Sequence, residues 1–537
     1  MAGFVDRRHE LRALEGLWGM RFQLALLWGR RRVGKTRLLD EFAAGKPAIT
    51  FQADEGTATE QLTRLTDRLL AYREDPLLRA QPLANWDAAV ATILRMAREA
   101  RGDGHPLLMI IDEFPRLVVS HPRLPSLLQA MIEDVRREDL PLFLVLAGSQ
   151  IGLFEQHVLH GPIYGRRTWG EQLPPLGYRD AGEFFPGWSA ADRLRAWALL
   201  GGVPYYLEQF DPGRGLRWNV EGRLLSKGAV LYDEAELLVR EELGNDASTY
   251  LSVLSAVASG ATRQSEIGDK AGIGGSAASK YLSQLERLHM VEHRSPAGAA
   301  ANARRGLWTL ADHYLRAWFE LVRANRTDLE ARRVADVWAR RVAPRLDQFV
   351  STPAFEDAVR EHARASIGSD PEFPAQGAVG AWWGPVPDPA QPGTRRTVEG
   401  EIELVAHDGH ALVLAGEAKW TNGPVDGAAL AQLRGTVVHV PGYDPAVTRL
   451  ALYSRDGFDA RVRAVAAADG IIDRLPVAGG GHAGRDHDRL ADHGRALGLR
   501  QRRDATSLVP QLVAVRTPDE RHRRCPSASR GAWTADV

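Results

Sequence analysis

The sequence predicts an α/β protein whose N-terminal part is a doubly wound parallel sheet. Three short runs of apolar residues carry this prediction: Gln23–Trp28, Leu108–Ile111 and Pro141–Ala147. Continuous apolar runs of this length are typical of strands that are covered on both faces. Helix-like stretches, including residues 57–101, separate the runs. Strands that alternate with helices in this way form parallel sheets with helices on both sides.

The first apolar run is followed by residues 29–36, Gly-Arg-Arg-Arg-Val-Gly-Lys-Thr, which fit the pattern GxxxxGK[ST]. In this pattern the backbone N–H groups of the loop point at phosphate oxygens, the lysine reaches the outer phosphates and the hydroxyl ligates Mg²⁺. The next stretch, Thr36–Ala44, is helix-like, so the phosphates would lie at a helix N-terminus. The alternative is a chance match. The sequence therefore predicts a site for a nucleoside triphosphate with magnesium. The predicted contacts are Gly29, Arg30, Arg31, Arg32, Val33, Gly34, Lys35, Thr36 and Arg37.

Two acids, Asp112 and Glu113, end the second apolar run. At the end of a central strand, Asp112 is placed to hold Mg²⁺ directly or through water. Glu113 is placed to act as a general base on the attacking water. With Lys35 they form the predicted catalytic set, and the alternative is a solvated acidic turn. Ser149, after the next strand, is the candidate for sensing the γ-phosphate, with Gln150 second, and a simple strand-end turn is the alternative.

The predicted first domain, residues 1–235, ends in a helical lid. Ala191–Leu200 is helix-like and runs into a corner of two glycines and a proline at residues 201–204. Before the lid, Arg166 or Arg167 is predicted to be a phosphate sensor or an arginine finger that acts in trans. A structural surface arginine is the alternative.

Residues 236–312 predict a winged helix-turn-helix, which follows an acidic amphipathic helix, Leu231–Leu243. The predicted elements, in chain order, are Tyr250–Ala258, Gln264–Ala271, Ser276–Leu288, Met290–Arg294 and Arg304–Leu310. Three helices and a β-hairpin are the elements of this DNA-binding motif, and its third helix enters the major groove. Ser276, Ser279 and Lys280 would face that groove. Because the charges of the segment nearly cancel, a winged helix that docks a protein partner is the alternative.

The composition limits the class of protein. The chain has 537 residues with 68 basic and 68 acidic side chains, so any DNA contact must be a local patch. Its only cysteine, Cys525, excludes a disulfide framework and a cysteine-based zinc site. No long apolar run is present, which predicts a soluble cytoplasmic protein without a membrane partner. Residues 476–537 lack apolar periodicity and are predicted to be a disordered tail.

The order of these motifs resembles the archaeal-type ATPases, which are AAA-like P-loop proteins also found in bacteria. The residues that carry the resemblance near the N-terminus are Phe4-Val5-Asp6-Arg7, Glu10-Leu11, Gly29–Thr36, Asp112-Glu113, Gly148-Ser149, Tyr164-Gly165-Arg166 and Gly201–Leu207. Those farther along are Asp312–Phe319, Trp382–Gly384, Glu401–Ala406, Gly416–Trp420 and Gly457-Phe458. The likeness covers about residues 3–470. It implies an ATPase domain, a winged helix and a C-terminal domain of unknown function at residues 313–475.

The resemblance also implies that this last domain has a PD-(D/E)xK nuclease fold, with an acid on a helix, an acid on a strand and a strand bearing E-x-K. The matching positions are Glu356, on the predicted helix Arg345–Arg364, with Glu403, Glu417 and Lys419. Glu417 and Lys419 share one face of a strand, so both could line one site. Carboxylates there could hold Mg²⁺, and Lys419 could assist the attacking water. The family favours Asp at position 403, so the longer Glu403 side chain moves one ligand outward. A nuclease fold used only for binding is the alternative.

Together these features predict an α/β protein: a P-loop NTPase sheet with a helical lid, a winged helix and a restriction-nuclease-like domain. It would bind ATP with Mg²⁺, hydrolyse it and couple its nucleotide state to DNA binding. Two rival hypotheses stay open. One is an ATP-dependent, metal-requiring nuclease, and the other is a nucleotide-switched regulator that docks a protein partner and cuts nothing. The sequence also leaves a homo-oligomer open.

Overall fold

The computed structural model describes residue 5 and residues 7–19, 21–298, 306–388, 390, 391, 393, 395–468 and 511–516. These residues form two compact units. The first contains the described residues up to 294 together with 306–349, and the second contains residues 295–298 and the described residues from 350 onward. Residues 313–349, which the sequence assigns to the third domain, therefore pack within the first unit.

A five-stranded parallel sheet forms the centre of the first unit, in the order β2-β3-β4-β1-β5. Its strands are β1 (Gln23–Trp28), β2 (Ala48–Gln52), β3 (Leu107–Asp112), β4 (Leu142–Gly148) and β5 (Trp169–Gln172). The three apolar runs predicted as strands are β1, β3 and β4. The parallel α/β fold predicted for this part of the chain is confirmed.

Successive side chains of the central strands enter two different hydrophobic cores, because side chains alternate between the faces of a sheet. In β1, Leu24 and Leu26 join one core, whereas Ala25 and Leu27 join the other. All four side chains are fully buried. A strand that serves two cores needs an unbroken apolar run, and this explains why β1 was recognisable in the sequence.

Helices cover both faces of this sheet and continue beyond it. Up to the end of the lid they are α1 (Arg8–Leu17), α2 (Lys35–Ala43), α3 (Ala58–Tyr72), α4 (Pro76–Ala80), α5 (Trp86–Glu99), α6 (Phe114–Ser120), α7 (Leu124–Arg137), α8 (Ile151–Phe154), α9 (Tyr178–Gly182), α10 (Ala190–Leu200), α11 (Pro204–Leu207), α12 (Leu216–Asn219) and α13 (Val230–Leu243). No helix in the described part of the chain is long and apolar enough to cross a membrane.

Three helices and a two-stranded antiparallel sheet follow α13. They are α14 (Ala247–Ala258), α15 (Gln264–Ala271), α16 (Gly275–Arg287), β6 (Val291–Arg294) and β7 (Leu307–Leu310). We refer to residues 247–294 and 306–310 as the three-helix module. The first unit ends with α17 (His313–Ala317), α18 (Arg326–Glu330), α19 (Val334–Val337) and α20 (Leu346–Phe349). Turns of 3-10 or π helix connect or extend several helices of this unit, including residues 244–246 between α13 and α14.

The second unit contains a five-stranded mixed sheet in the order β12-β11-β10-β9-β8. Its elements are α21 (Glu356–Ser366), β8 (Ala378–Pro387), β9 (Thr397–Asp408), β10 (Ala411–Lys419), α22 (Gly427–Val437), β11 (Arg449–Ser454), α23 (Ala460–Ala468) and β12 (Gln511–Arg516). Strands β10 and β11 are parallel, and the other neighbours are antiparallel. An α/β arrangement is present here too, as predicted.

Two details of this unit differ from the sequence-based prediction. The helix predicted over Arg345–Arg364 is interrupted, since Thr352 has extended backbone angles before Pro353. Proline lacks an N–H donor and disfavours helical angles in the residue before it, which explains the break. Residues 511–516, predicted within a disordered tail, form strand β12 beside β11. The rest of that predicted tail lies outside the described residues.

Candidate functional site

The loop between β1 and α2 has the geometry of a phosphate-binding loop. Gly29 has a positive φ of 153°, and a Cβ atom there would lie 2.6 Å from the carbonyl oxygen of Leu173. Lys35 Nζ donates to the carbonyl oxygens of Gly29 at 2.8 Å and Arg30 at 3.0 Å. Burial lowers the pKa of Lys35, and nearby carboxylates oppose that shift. The ammonium group is therefore held inside the loop, where backbone oxygens satisfy its donors.

The acids at the end of β3 meet this loop. Thr36 Oγ1 donates to Asp112 Oδ2 at 2.6 Å, and the N–H of Glu113 donates to Asp112 Oδ1 at 2.9 Å. Burial raises the pKa of Asp112, although the bond from Thr36 partly opposes the rise. A hydroxyl and a carboxylate are the hard oxygen donors that Mg²⁺ prefers. The pair fits the predicted magnesium position.

Ser149, at the end of β4, contacts the second acid. Its Oγ donates to Glu113 Oε2 at 2.8 Å, and its backbone N–H lies 3.3 Å from the same oxygen. Glu113 itself has a positive φ of 55°, which turns the chain sharply where α6 begins. The side chain predicted to sense the γ-phosphate is therefore bound to the predicted general base.

Lys35, Thr36, Glu113 and Ser149 line a cleft of about 630 Å³, whereas Asp112 lies behind Thr36 and does not line it. The lining residues are Arg31, Arg32, Gly34, Lys35, Thr36, Arg37, Gln52, Ala53, Asp54, Arg64, Glu113, Arg116, Ser149, Pro204, Tyr205 and Glu208. Of the predicted loop contacts, Gly29, Arg30 and Val33 do not line the cleft. Val33 packs into a hydrophobic core, and the Arg30 side chain is buried. These three residues can serve the loop through their backbone only.

Sequence reasoning missed the acids that bind the three consecutive loop arginines, which we term the arginine row (Arg30, Arg31 and Arg32). Arg30 forms an ion pair with Asp312, both side chains being at most 5% exposed. Arg32 pairs with Glu234 of α13. Arg31 lies 2.7 Å from Glu241 and 3.6 Å from Glu242, at the end of α13. These contacts span at least 200 residues of sequence, so no local pattern could reveal them.

Arg166, predicted to be a phosphate sensor or an arginine finger that acts in trans, lies away from this cleft. Its guanidinium pairs with Glu133 and donates to the carbonyl oxygen of Pro162 at 2.7 Å, and it does not line the cleft. Arg167 stacks on the ring of Tyr164, with its Cζ 4.0 Å from the ring centroid. The cations that do line the cleft beyond the loop are Arg64 and Arg116, which no motif of the sequence singled out.

The second unit brings together three of the four residues predicted for a nuclease-like site. Lys419 Nζ pairs with Glu417 and lies 3.4 Å from Glu403 Oε1, while the N–H of Ala418 donates to Glu403 Oε2 at 2.9 Å. Burial and the neighbouring Glu403 raise the pKa of Glu417 well above its usual range. Burial alone would lower the pKa of Lys419, but the two carboxylates outweigh it and raise the value.

The fourth residue, Glu356, accepts a hydrogen bond from Thr352 at 2.7 Å and lies 3.7 Å from Arg360. Glu401, which the sequence analysis did not single out, is close enough to Glu403 for the two charges to interact, and burial raises its pKa further. Among the described residues, no group of three or more His, Cys, Asp or Glu side chains is arranged to hold a metal ion. Of the predicted carboxylates, Glu403 and Glu417 pair with the Lys419 ammonium, and the charge of Glu356 interacts with that of Glu403.

Comparison with known families finds matches in two segments of the chain. Residues 4–210 match the family described as an ATPase domain predominantly from Archaea. Residues 318–431 match a family described as archaeal and bacterial proteins of unknown function. The predicted resemblance to the archaeal-type ATPases, followed by a domain of unknown function, is confirmed, and residues 4–210 match an ATPase domain. The winged helix and the nuclease-like fold stay predictions.

The individual proteins that match this chain share between 16% and 26% sequence identity with it. An uncharacterized protein of Methanocaldococcus jannaschii is 26% identical over 334 residues, which cover 61% of this chain and 70% of the relative. A Walker-type ATPase of Pyrococcus abyssi has 20% identity and a TM-score of 0.43, and the alignment covers 59% of this chain and 96% of that protein. The ORC2 protein of Aeropyrum pernix has 16% identity and a TM-score of 0.35, with 61% and 94% covered.

Proposed function

We propose that this chain hydrolyses ATP with Mg²⁺ and couples its nucleotide state to DNA binding by the three-helix module. The observation that carries the ATP part is the meeting of Lys35, Thr36, Asp112 and Glu113 at one edge of a parallel sheet. Ligands bind at this edge in doubly wound folds. The family match over residues 4–210 supports the same activity.

Each residue has a distinct part in the proposed reaction. Thr36 and Asp112 would hold the Mg²⁺ that accompanies ATP, and the ion would neutralise charge on the phosphates. Lys35 would exchange its two backbone acceptors for the outer phosphates. Glu113 would take the proton of the attacking water, and Ser149 would fix the orientation of its carboxylate. All these groups belong to the first unit.

The DNA part of the proposal concerns the outer face of α16. The order of three helices and a hairpin in the three-helix module is that of a winged helix-turn-helix, in which the third helix enters the major groove. Ala278, Leu282 and Leu285 of α16 are buried in the module, whereas Ser276, Ser279 and Lys280 are exposed. The exposed set can offer hydroxyl donors and one positive charge to a groove.

Reversing the charge of Lys280 is expected to weaken DNA binding. A glutamate at this position would replace a phosphate contact by repulsion, so Lys280→Glu should lower affinity roughly tenfold at low salt and flatten the salt dependence by about one counterion. Fluorescence anisotropy of labelled duplex DNA at several salt concentrations measures both effects. Lys270→Glu, on the neighbouring α15, is the control and should bind nearly as the wild type. Equal affinity and slope for Lys280→Glu would favour docking of a protein partner instead.

A metal-dependent nuclease is the second candidate, because Glu403, Glu417 and Lys419 converge in the second unit. On this hypothesis Glu417→Ala removes Mg²⁺- or Mn²⁺-dependent cleavage of plasmid DNA, while ATP turnover stays unchanged. Glu399→Ala, an exposed acid on the same strand as Glu403, should cleave as the wild type. Glu403→Asp should raise activity, since the shorter side chain restores the ligand length that the family favours. If neither wild type nor Glu403→Asp cleaves DNA or RNA, the regulator hypothesis stands.

A further inference from the structure

The three-helix module is attached to the phosphate loop at both of its ends. The chain enters the module directly after Glu241 and Glu242, and both acids contact Arg31. The chain leaves the module through β7 and reaches Asp312 two residues later, where the carboxylate pairs with Arg30. Two adjacent residues of one nucleotide-binding loop therefore hold the entrance and the exit of the same module.

The two attachments differ in strength. Asp312 also accepts the N–H of Leu315 at 2.9 Å as the N-cap of α17, and the Arg30 guanidinium lies 3.3 Å from the hydroxyl of Tyr206. This end is buried and has several hydrogen bonds. At the entrance, Arg31 donates to Glu241 at 2.7 Å in an exposed contact, and it lies 3.6 Å from Glu242, whose Oε1 is buried without a hydrogen-bond partner among the described residues. A buried carboxylate oxygen without a donor is a weak point in a structure.

Glu242 also lies near the position of the phosphates. Its charge interacts with those of Lys35 and Glu113, so the carboxylate is within electrostatic reach of the catalytic groups. A nucleotide adds several negative charges to the same loop. These charges would attract the Arg31 guanidinium, which lines the cleft, and would repel the Glu242 carboxylate. Nucleotide and Glu242 therefore compete for one arginine.

We infer that Glu242 is the residue through which the nucleotide acts on the three-helix module. When phosphates enter the loop, Arg31 turns from Glu241 and Glu242 to the phosphates, and the end of α13 is released together with the start of α14. The pairs Arg30–Asp312 and Arg32–Glu234 stay formed, so Asp312 and the first part of α13 keep their positions. The inference rests on the proposed function, because it assumes that the loop binds ATP or ADP.

Glu242→Gln provides the test, since it keeps the size of the side chain and removes its charge. The variant should bind a fluorescent ADP analogue roughly tenfold more tightly than the wild type, because one repulsive charge is lost and Glu241 is then the only acid of α13 that holds Arg31. Hydrogen exchange over residues 244–258 is the second measurement. In the wild type, nucleotide should speed this exchange. In Glu242→Gln the exchange without nucleotide should be faster than in the wild type, and nucleotide should change it less.

The matched control is Glu236→Gln on the same helix, whose carboxylate pairs with Arg326 at 2.6 Å. This variant should bind the analogue with wild-type affinity and keep the response of residues 244–258. Wild-type affinity for Glu242→Gln, or exchange over residues 244–258 that ignores nucleotide in the wild type, would overturn the inference. A wild-type chain that binds no nucleotide would instead overturn the proposed function.

Discussion

Lys35→Ala is expected to reduce ATP turnover at least about a hundredfold, a loss of about 2.7 kcal/mol of transition-state stabilisation. The ammonium group is buried and held by the backbone of the loop, so alanine leaves this position without a cation. The substitution also leaves the carbonyl oxygens of Gly29 and Arg30 without their donor. Phosphate release at saturating ATP and Mg²⁺ measures the effect. Lys227→Ala, at an exposed position away from the cleft, should be as active as the wild type. Wild-type turnover by Lys35→Ala would refute the nucleotide site.

Glu113→Gln is expected to separate binding from hydrolysis. Glutamine keeps the shape of the side chain and can still accept from Ser149, but it cannot take a proton from water. Turnover should therefore fall about a hundredfold or more, while ATP stays bound. Filter binding of labelled ATP, followed by analysis of the bound nucleotide, distinguishes trapped ATP from ADP. Glu55→Gln, an exposed acid on the loop after β2, should turn over normally. If Glu113→Gln hydrolyses ATP as fast as the wild type, another group must be the base.

The elements that could be predicted are those whose structure is determined by a short stretch of sequence. Strand β1 could be recognised because its side chains enter two cores and must all be apolar. The phosphate loop could be recognised because glycine is required where backbone atoms approach closely, as at Gly29. The helix break at Pro353 had a visible signal that the helical periodicity around it concealed. Strand β12 also had a visible signal in the sequence, which is the apolar run of residues 512–515.

Only some residues of the candidate site could be predicted from the sequence. Lys35, Thr36 and Asp112 belong to motifs, but what their neighbours contact depends on tertiary structure. Ser149 was expected to face the phosphates, and it bonds Glu113 because the ends of β3 and β4 lie side by side. The partners of the arginine row come from more than 200 residues away in each case. Periodicity and motif spacing carry no information about such pairs.

The pairing of Arg30 with Asp312 also has a consequence for how the chain matures on the ribosome. The two residues are 282 positions apart. At about 5 to 20 residues per second, roughly 15 to 60 s separate the synthesis of the arginine from that of its acid. Once residue 172 has been made, the strands of the parallel sheet are complete, yet the Arg30 guanidinium still lacks the Asp312 carboxylate and stays hydrated. The nucleotide loop therefore gains its contact with Asp312 late in synthesis. A fragment ending near residue 235 lacks this acid and would leave Arg30 without it.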